Sequence, residues 1–236
     1  MHLVVDGLTC IPQQAWLHPE LRQHLPALKS LARVLTEGGH EIPTIVVDTE
    51  LDALEWLQRG WETGRVYSIP MFSEEYCDKL IAEADCMHYE VNEDEEQPYQ
   101  IPEVVLANEC EALHKCMAVY LKEIIVPICE ILFGSSPTWI SSIQIARYTP
   151  QGVGHGNWHV DADSLFTAVV SLNPESFKGG GTDIRTGPLS YSHIPALPKG
   201  HALLFHGKTT LHRGCEVTEG RRDLLVFWSE VKDGQP

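Results

Sequence analysis

Lysine and arginine are scarce in this chain of 236 residues: 17 basic side chains stand against 33 acidic ones, a formal charge of −16. Such a balance repels a phosphate backbone unless the cations are gathered into one patch. The densest basic segment, RGCEVTEGRR, is interrupted by two glutamates, so nucleic acid is not an expected partner. No apolar run approaches the ~18 residues of a membrane helix, and the longest, IIVPICEILF, carries Glu130. No basic leader followed by an apolar core is read at the N-terminus, so no secretory signal is expected. Seven cysteines, an odd number without a CxxC pair, read as reduced thiols, and a cytoplasmic location is the expectation. No internal repeat is visible.

What is present argues for a globular protein: 43% hydrophobic residues and six tryptophans place it far from disorder. Leu21, Leu25, Leu28, Leu31 and Leu35 recur at helical spacing over 19–37, with Pro26 expected to weaken the first turns. EIPTIVVD (41–48) is β-branched and reads as a strand, and the segment after it as a short helix capped by Thr49. RVYSIPMF reads as extended, and Ser73 followed by two glutamates opens a further helix. VNEDEEQPYQ (91–100) is the most charged run and reads as a solvated loop, with a lid over a basic substrate as the functional alternative. Residues 104–133 have a helical period that Pro127 must kink or break. After Gly134 the texture changes to short apolar or alternating runs bounded by turn residues, the pattern of a β-sandwich or barrel of about 100 residues.

Within that β region GNWHVD sets His159 and Asp161 two residues apart, on one face of an extended chain, where both side chains can converge on one ion. An HxD pair alone is a weak signal. His212, after the run HALLF, is the candidate third ligand, in a segment that can return alongside the first. Two imidazoles and a carboxylate make the facial triad of non-haem Fe(II) oxygenases, although zinc accepts the same donors. The segment after His212 decides the reading: H-x-G-x-x-V-x-x-G-x-R runs His212, Gly214, Val217, Gly220, Arg222. Arg222 offers a permanent, two-pronged charge to a carboxylate. A ligand that chelates iron through a 2-oxo acid at one end and pairs with Arg222 at the other is 2-oxoglutarate.

With these residues on view, the chain resembles the prolyl and lysyl hydroxylase group of the Fe(II)/2-oxoglutarate dioxygenases over residues 65–230. IQIARYTPQGVGHGNWHVD is similar to the group's lead into its HxD, FTAVVSLNPESFKGGGTDI to its next hairpin, and HALLFHGKTTLHRGCEVTEGRRDLLVFW to its end. The resemblance implies an α+β protein with a double-stranded β-helix (jelly-roll) core, supporting helices and an N-terminal α/β extension. The division expected is 1–64, an extension of unknown role, and 65–236, the dioxygenase domain. His159, Asp161 and His212 match the group's iron ligands, and Arg222 the partner of the far carboxylate of 2-oxoglutarate. Tyr148 matches a tyrosine that hydrogen-bonds the cosubstrate, and Ser171 stands where some relatives have a second tyrosine. Fe(II), 2-oxoglutarate and O2 are the implied cofactors, with ascorbate as a candidate addition.

The implied activity is hydroxylation of a prolyl or lysyl residue in a peptide or protein, with release of succinate and CO2. The alternative keeps the chemistry and changes the substrate to a small molecule, such as a free amino acid or biosynthetic intermediate. A non-catalytic binding module is the third reading, set against the retention of all four site residues. His155 and His206 are read as surface or supporting residues, and Trp158 and Trp228 first as packing and second as substrate contacts.

Overall fold

A computed structural model describes residues 9–39, 47–91, 93 and 96–232. The chain order is helix α1 (Pro19–Glu37), helix α2 (Asp48–Arg59), strands β1 (Trp61–Thr63) and β2 (Val66–Pro70), and helix α3 (Glu74–Ala84). Strands β3 (Glu90–Val91) and β4 (Pro102–Val105) precede helices α4 (Leu106–Glu109), α5 (Glu111–Tyr120) and α6 (Val126–Phe133). The rest is β: β5 (Trp139–Tyr148), β6 (Phe166–Ser171), β7 (Phe177–Gly179), β8 (Thr182–Gly187) and β9 (Ser190–Ile194). β10 (His201–His206), β11 (His212–Gly214), β12 (Val217–Gly220) and β13 (Arg222–Glu230) complete it.

Eight strands form an antiparallel major sheet in the order β1-β2-β10-β6-β13-β5-β4-β3; β11-β8-β9 and β12-β7 form two small sheets. This is the double-stranded β-helix expected, with helices on one side. The central strands β6, β10 and β13 are buried on both faces, because alternate residues of each point opposite ways and both sides are covered. Ile143, Ile145, Ala168, Val170, Leu225 and Phe227 join the helices in the main core. Their neighbours Ala146, Tyr148, Leu224 and Val226 form a separate cluster on the other face. Ile184 and Ile194 of the three-stranded sheet close over Leu203 and Phe205 of β10. The lumen of the barrel lies between these sheets. Each fully buried Leu or Phe contributes roughly 1.5–3 kcal/mol, so both faces stabilise the frame of the site.

Helix α1 begins at Pro19, earlier than Pro26 suggests, with His18 Nδ1 accepting from the Glu20 amide (3.3 Å). Buried Leu21, Leu25 and Leu28 hold one face of α1 across the proline, so tertiary packing outweighs the missing amide. These leucines share the main core with the barrel. Helix α2 starts one residue before Thr49, with Val47 at the N-cap. Most of the strand expected over 41–48 lies outside the described residues. The helical period read over 104–133 is interrupted three times, at its start, at Cys110 between α4 and α5, and ahead of Pro127. Residues 104 and 105 belong to β4, and a π-turn at Leu121–Ile125 leads directly into α6, so the irregular turn lies where Pro127 removes an amide from the helical ladder. No helix of the described residues is long and apolar enough to cross a membrane.

Candidate active site

Backbone pairing assembles the triad. His159 and His212 form an isolated antiparallel bridge in which each amide donates to the other's carbonyl (2.9 Å both ways). The Asp161 amide donates to Gly207 O (3.1 Å). The HxD segment is thus extended only locally, held by the chain on either side of Leu211 rather than by a long strand. His159 Nε2 lies 3.5 Å and His212 Nε2 3.8 Å from Asp161 Oδ1, and the three donor atoms are all within 4.8 Å of one another. A carbonyl can only accept, so the contacts of His159 Nδ1 with Asn157 O and His212 Nδ1 with Thr210 O (2.9 Å each) put the proton on Nδ1. Both Nε2 lone pairs are left aimed at the shared carboxylate.

Asp161 is buried, and burial alone raises a carboxyl, but the neighbouring His159 and His212 imidazoles and the hydrogen bond from the Thr167 hydroxyl together hold it below its ordinary value. Burial pushes His212 down, against the pull of Asp161, which keeps the imidazole neutral and able to ligate. Thr167 Oγ1 donates to Asp161 Oδ2 at 2.6 Å, leaving Oδ1 toward the two imidazoles. Gly207 allows this contact. A Cβ there would lie 2.5 Å from Thr167 Oγ1 and 2.4 Å from Ser164 O, so no larger residue fits. Neither Thr167 nor Gly207 stood out from the sequence. The available signal was a threonine on the lumen-facing alternation Thr167, Val169, Ser171.

A cavity of about 390 Å³ runs from the triad to Arg222. Arg222 is 5% exposed, and its Nη1 donates to Gly181 O (3.0 Å) while the guanidinium lies over the rings of Tyr148 (5.5 Å) and Phe177 (5.9 Å). No carboxylate pairs with it among the described residues, and burial lowers its pKa. The three glycines 179–181 all have positive φ (78°, 71°, 94°), a conformation L side chains rarely adopt, and they turn the Gly181 carbonyl to meet the guanidinium. Tyr148 stands directly across the β5/β13 ladder from Arg222. Ser171 is buried on β6 opposite Leu224 and lines a small recess with Arg222. The positions matched to cosubstrate contacts therefore cluster around Arg222.

The outer face of the same strands is locked by charge. Asp223 accepts from Arg147 Nε, Arg221 Nε and Asn173 Nδ2 (2.7, 2.7 and 2.9 Å), and Asp85, at the end of α3, pairs with both arginines. Because Asp223 follows Arg222 and Arg147 precedes Tyr148, this network fixes the two strand segments whose inner faces carry Arg222 and Tyr148.

Of the decoys, His155 is exposed and touches Tyr99 edge-on, and His206 packs against Phe166. Trp228 lines the cavity. Trp158 does not: it turns outward under Arg213 (4.8 Å) and against Tyr191. A second set of potential ligands, Asp183, His193 and Cys215, lies on that outer face. Arg213 already donates twice to Asp183 Oδ2 (2.9 and 2.8 Å), and burial pushes the Cys215 thiol up to about 12, so it stays protonated. That set reads as an ion pair, not a metal centre.

Replacing Thr167 by valine keeps the shape and removes the hydroxyl that orients Asp161. Metal affinity is expected to fall about 10- to 100-fold, the usual cost of losing a group that orients a ligand, with the fold retained. Titration of the apoprotein with Fe(II) or Mn(II) measures it; unchanged affinity would show that the Thr167 contact positions nothing.

No protein-family model matches the chain. Among curated proteins it is 29% identical over 178 residues to mouse procollagen-lysine,2-oxoglutarate 5-dioxygenase 1, covering 68% of this chain and 23% of that protein. The chain thus spans about a quarter of the length of that relative. Among solved structures, one similar fold is an oxidoreductase of the 2OG-Fe(II) oxygenase family from Burkholderia pseudomallei (TM-score 0.59, 15% identity, 88% of this chain and 92% of that one). Another is a Pseudomonas putida prolyl-4-hydroxylase (0.53, 16%, 87% and 99%). A third is SnoN, a non-haem α-ketoglutarate-dependent epimerase of nogalamycin biosynthesis (0.57, 17%, 76% and 84%). The fold of this chain is that of the 2OG-Fe(II) oxygenases, and the resemblance read from its motifs is the resemblance these comparisons find.

Proposed function

We propose that this chain is an Fe(II)- and 2-oxoglutarate-dependent hydroxylase acting on a prolyl or lysyl residue of a peptide or protein. The observation that carries the reading is a buried arginine without a carboxylate partner among the described residues, sharing one cavity with a His-Asp-His triad. A buried cation is costly unless an anion joins it, so Arg222 marks the seat of a carboxylate ligand. The donor set of two imidazoles and one carboxylate suits Fe(II). His159, Asp161 and His212 would hold the ion by one side. Arg222 would pair with the far carboxylate of 2-oxoglutarate, beside Tyr148 and Ser171. When bound, iron and cosubstrate supply O2 activation: 2-oxoglutarate and O2 give succinate and CO2, and the second oxygen atom enters a C–H bond of the target. The protein's share is to hold these groups in register and to keep the lumen dry with Val169, Phe205, Leu224 and Val226. The lysyl relative supports the peptide or protein target, and SnoN, from nogalamycin biosynthesis, favours the small-molecule alternative. The odd set of seven cysteines without a paired spacing supports a reducing, cytoplasmic setting.

The test is an anaerobic titration with Fe(II) and 2-oxoglutarate, followed by turnover with ascorbate and mass spectrometry of candidate peptides and free amino acids. A visible charge-transfer band on adding 2-oxoglutarate, then succinate release matched by an added oxygen in a peptide, is the expected result. Oxygen added only to free amino acids or other small molecules would transfer the assignment to the alternative. No band and no succinate would overturn the enzymatic reading.

A further inference from the structure

We propose that the mouth of this cavity is built for a target carrying a positive charge, an ammonium or guanidinium group, selected by Glu103, Glu96 and Asp163. The inference rests on the proposed hydroxylase function and names the target that site would take. Arg222 is the only lysine or arginine among the described residues lining the cavity, whereas four carboxylates line it: Glu96, Glu103, Asp161 and Asp163. The ion's two positive charges and the one of Arg222 would be balanced by Asp161 and the two carboxylates of 2-oxoglutarate. The loaded deep end is then neutral, and Glu96, Glu103 and Asp163 remain as an acidic mouth. A neutral prolyl ring entering there would strip water from carboxylates and return no charge. A lysyl or arginyl side chain would return it.

The three carboxylates differ in setting. Glu103 lies on β4, beside Ala146 of β5, and is half-buried; Gln144 Nε2 donates to its Oε2. The Gln144 amide orients this half-buried carboxylate toward the lumen side of β4, which makes Glu103 the selecting group. Glu96 and Asp163 are exposed and act at longer range, steering a cation to the mouth. Trp228 supplies the apolar wall. It stands opposite Thr167 on the β13/β6 ladder, and Thr167 holds Asp161, so the indole is one ladder step from the triad. An aromatic face there suits the methylene stem of a long cationic side chain, and Tyr99 adds a second ring.

The test uses protein loaded anaerobically with Fe(II) and 2-oxoglutarate, and follows the change of its charge-transfer band on adding ligand. The probes are one peptide frame with lysine, arginine, norleucine or proline at its centre, together with free lysine and free arginine. Cationic probes are expected to bind about tenfold or more tightly than norleucine and proline, with the advantage shrinking as salt rises. Glu103→Gln should remove most of that preference while the band itself persists, showing an intact deep end. Glu96→Gln with Asp163→Asn should cost less and act mainly at low salt. Free lysine or arginine binding as tightly as the peptides assigns the cation to a small molecule; tighter peptide binding assigns it to a side chain. Equal binding of neutral and cationic probes, or full preference in a variant carrying all three substitutions, overturns the proposal with the hydroxylase reading intact. Failure of the band to form in the wild type removes both.

Discussion

Arg222→Met is expected to weaken 2-oxoglutarate binding by roughly two to three and a half orders of magnitude, from the 3–5 kcal/mol that breaking a buried charge pair costs. The same change is expected to make the apoprotein more stable. Arg222 is buried and donates to one carbonyl, Gly181 O, with the rings of Tyr148 and Phe177 beside it and no anion paired to it among the described residues. An apolar side chain of similar length there avoids the desolvation of the cation, which is worth about 1–4 kcal/mol in comparable replacements. Without ligands the variant should therefore melt several degrees above the wild type. With 2-oxoglutarate and metal at 100 times the wild-type Kd the order should narrow or invert, because only the wild type gains the ~2.7 kcal/mol that such a ligand adds. Two melting curves and one titration check this. A variant less stable than the wild type without ligands, or one that binds 2-oxoglutarate normally, contradicts the assignment of Arg222 as a carboxylate seat.

Asp161→Asn is expected to abolish turnover and to lower Fe(II) affinity about a thousandfold or more, since even groups that merely orient a ligand cost 10- to 100-fold. Asp161 is the one anionic donor of the three, and its Oδ1 lies 3.5 and 3.8 Å from the two imidazole nitrogens. An amide copies the shape, keeps an acceptor for the Thr167 hydroxyl and removes the charge. The fold should persist, since the His159–His212 backbone bridge and the Asp161 amide bond to Gly207 do not involve the carboxylate. Calorimetric titration with Fe(II), with Mn(II) as a redox-inert control, measures the loss. Retention of wild-type affinity would mean that the ion sits elsewhere.

The sequence was informative where the physics is local. Alternation over β5, β6, β10 and β13, and the same-face placement of His159 and Asp161, follow from residue spacing alone. So does the helical face of Leu21, Leu25 and Leu28, although Pro26 counselled a later start that packing overruled. Spacing was a poor guide where long-range contacts decide. The period over 104–133 hid a strand at its start, because Val104 satisfies a helical pattern and a sheet core equally well. Trp158 and Trp228 looked alike as candidates. Only the path of each segment in the fold sends Trp158 outward under Arg213 and Trp228, on β13, into the lumen.

By itself, then, the sequence determined the candidate ligand types, their order and the arginine ten residues past the last histidine, because chemistry that needs fixed residue types leaves them visible as a motif. Only the tertiary structure decided that Thr167 and Gly207 hold Asp161 in place, that Glu103 faces the same lumen as the triad, and that Arg222 is buried without an anion among the described residues. Each of these depends on contacts between segments far apart in the chain. Which segments meet is settled by burying both faces of one sheet, a property of the whole fold that no short stretch of sequence carries.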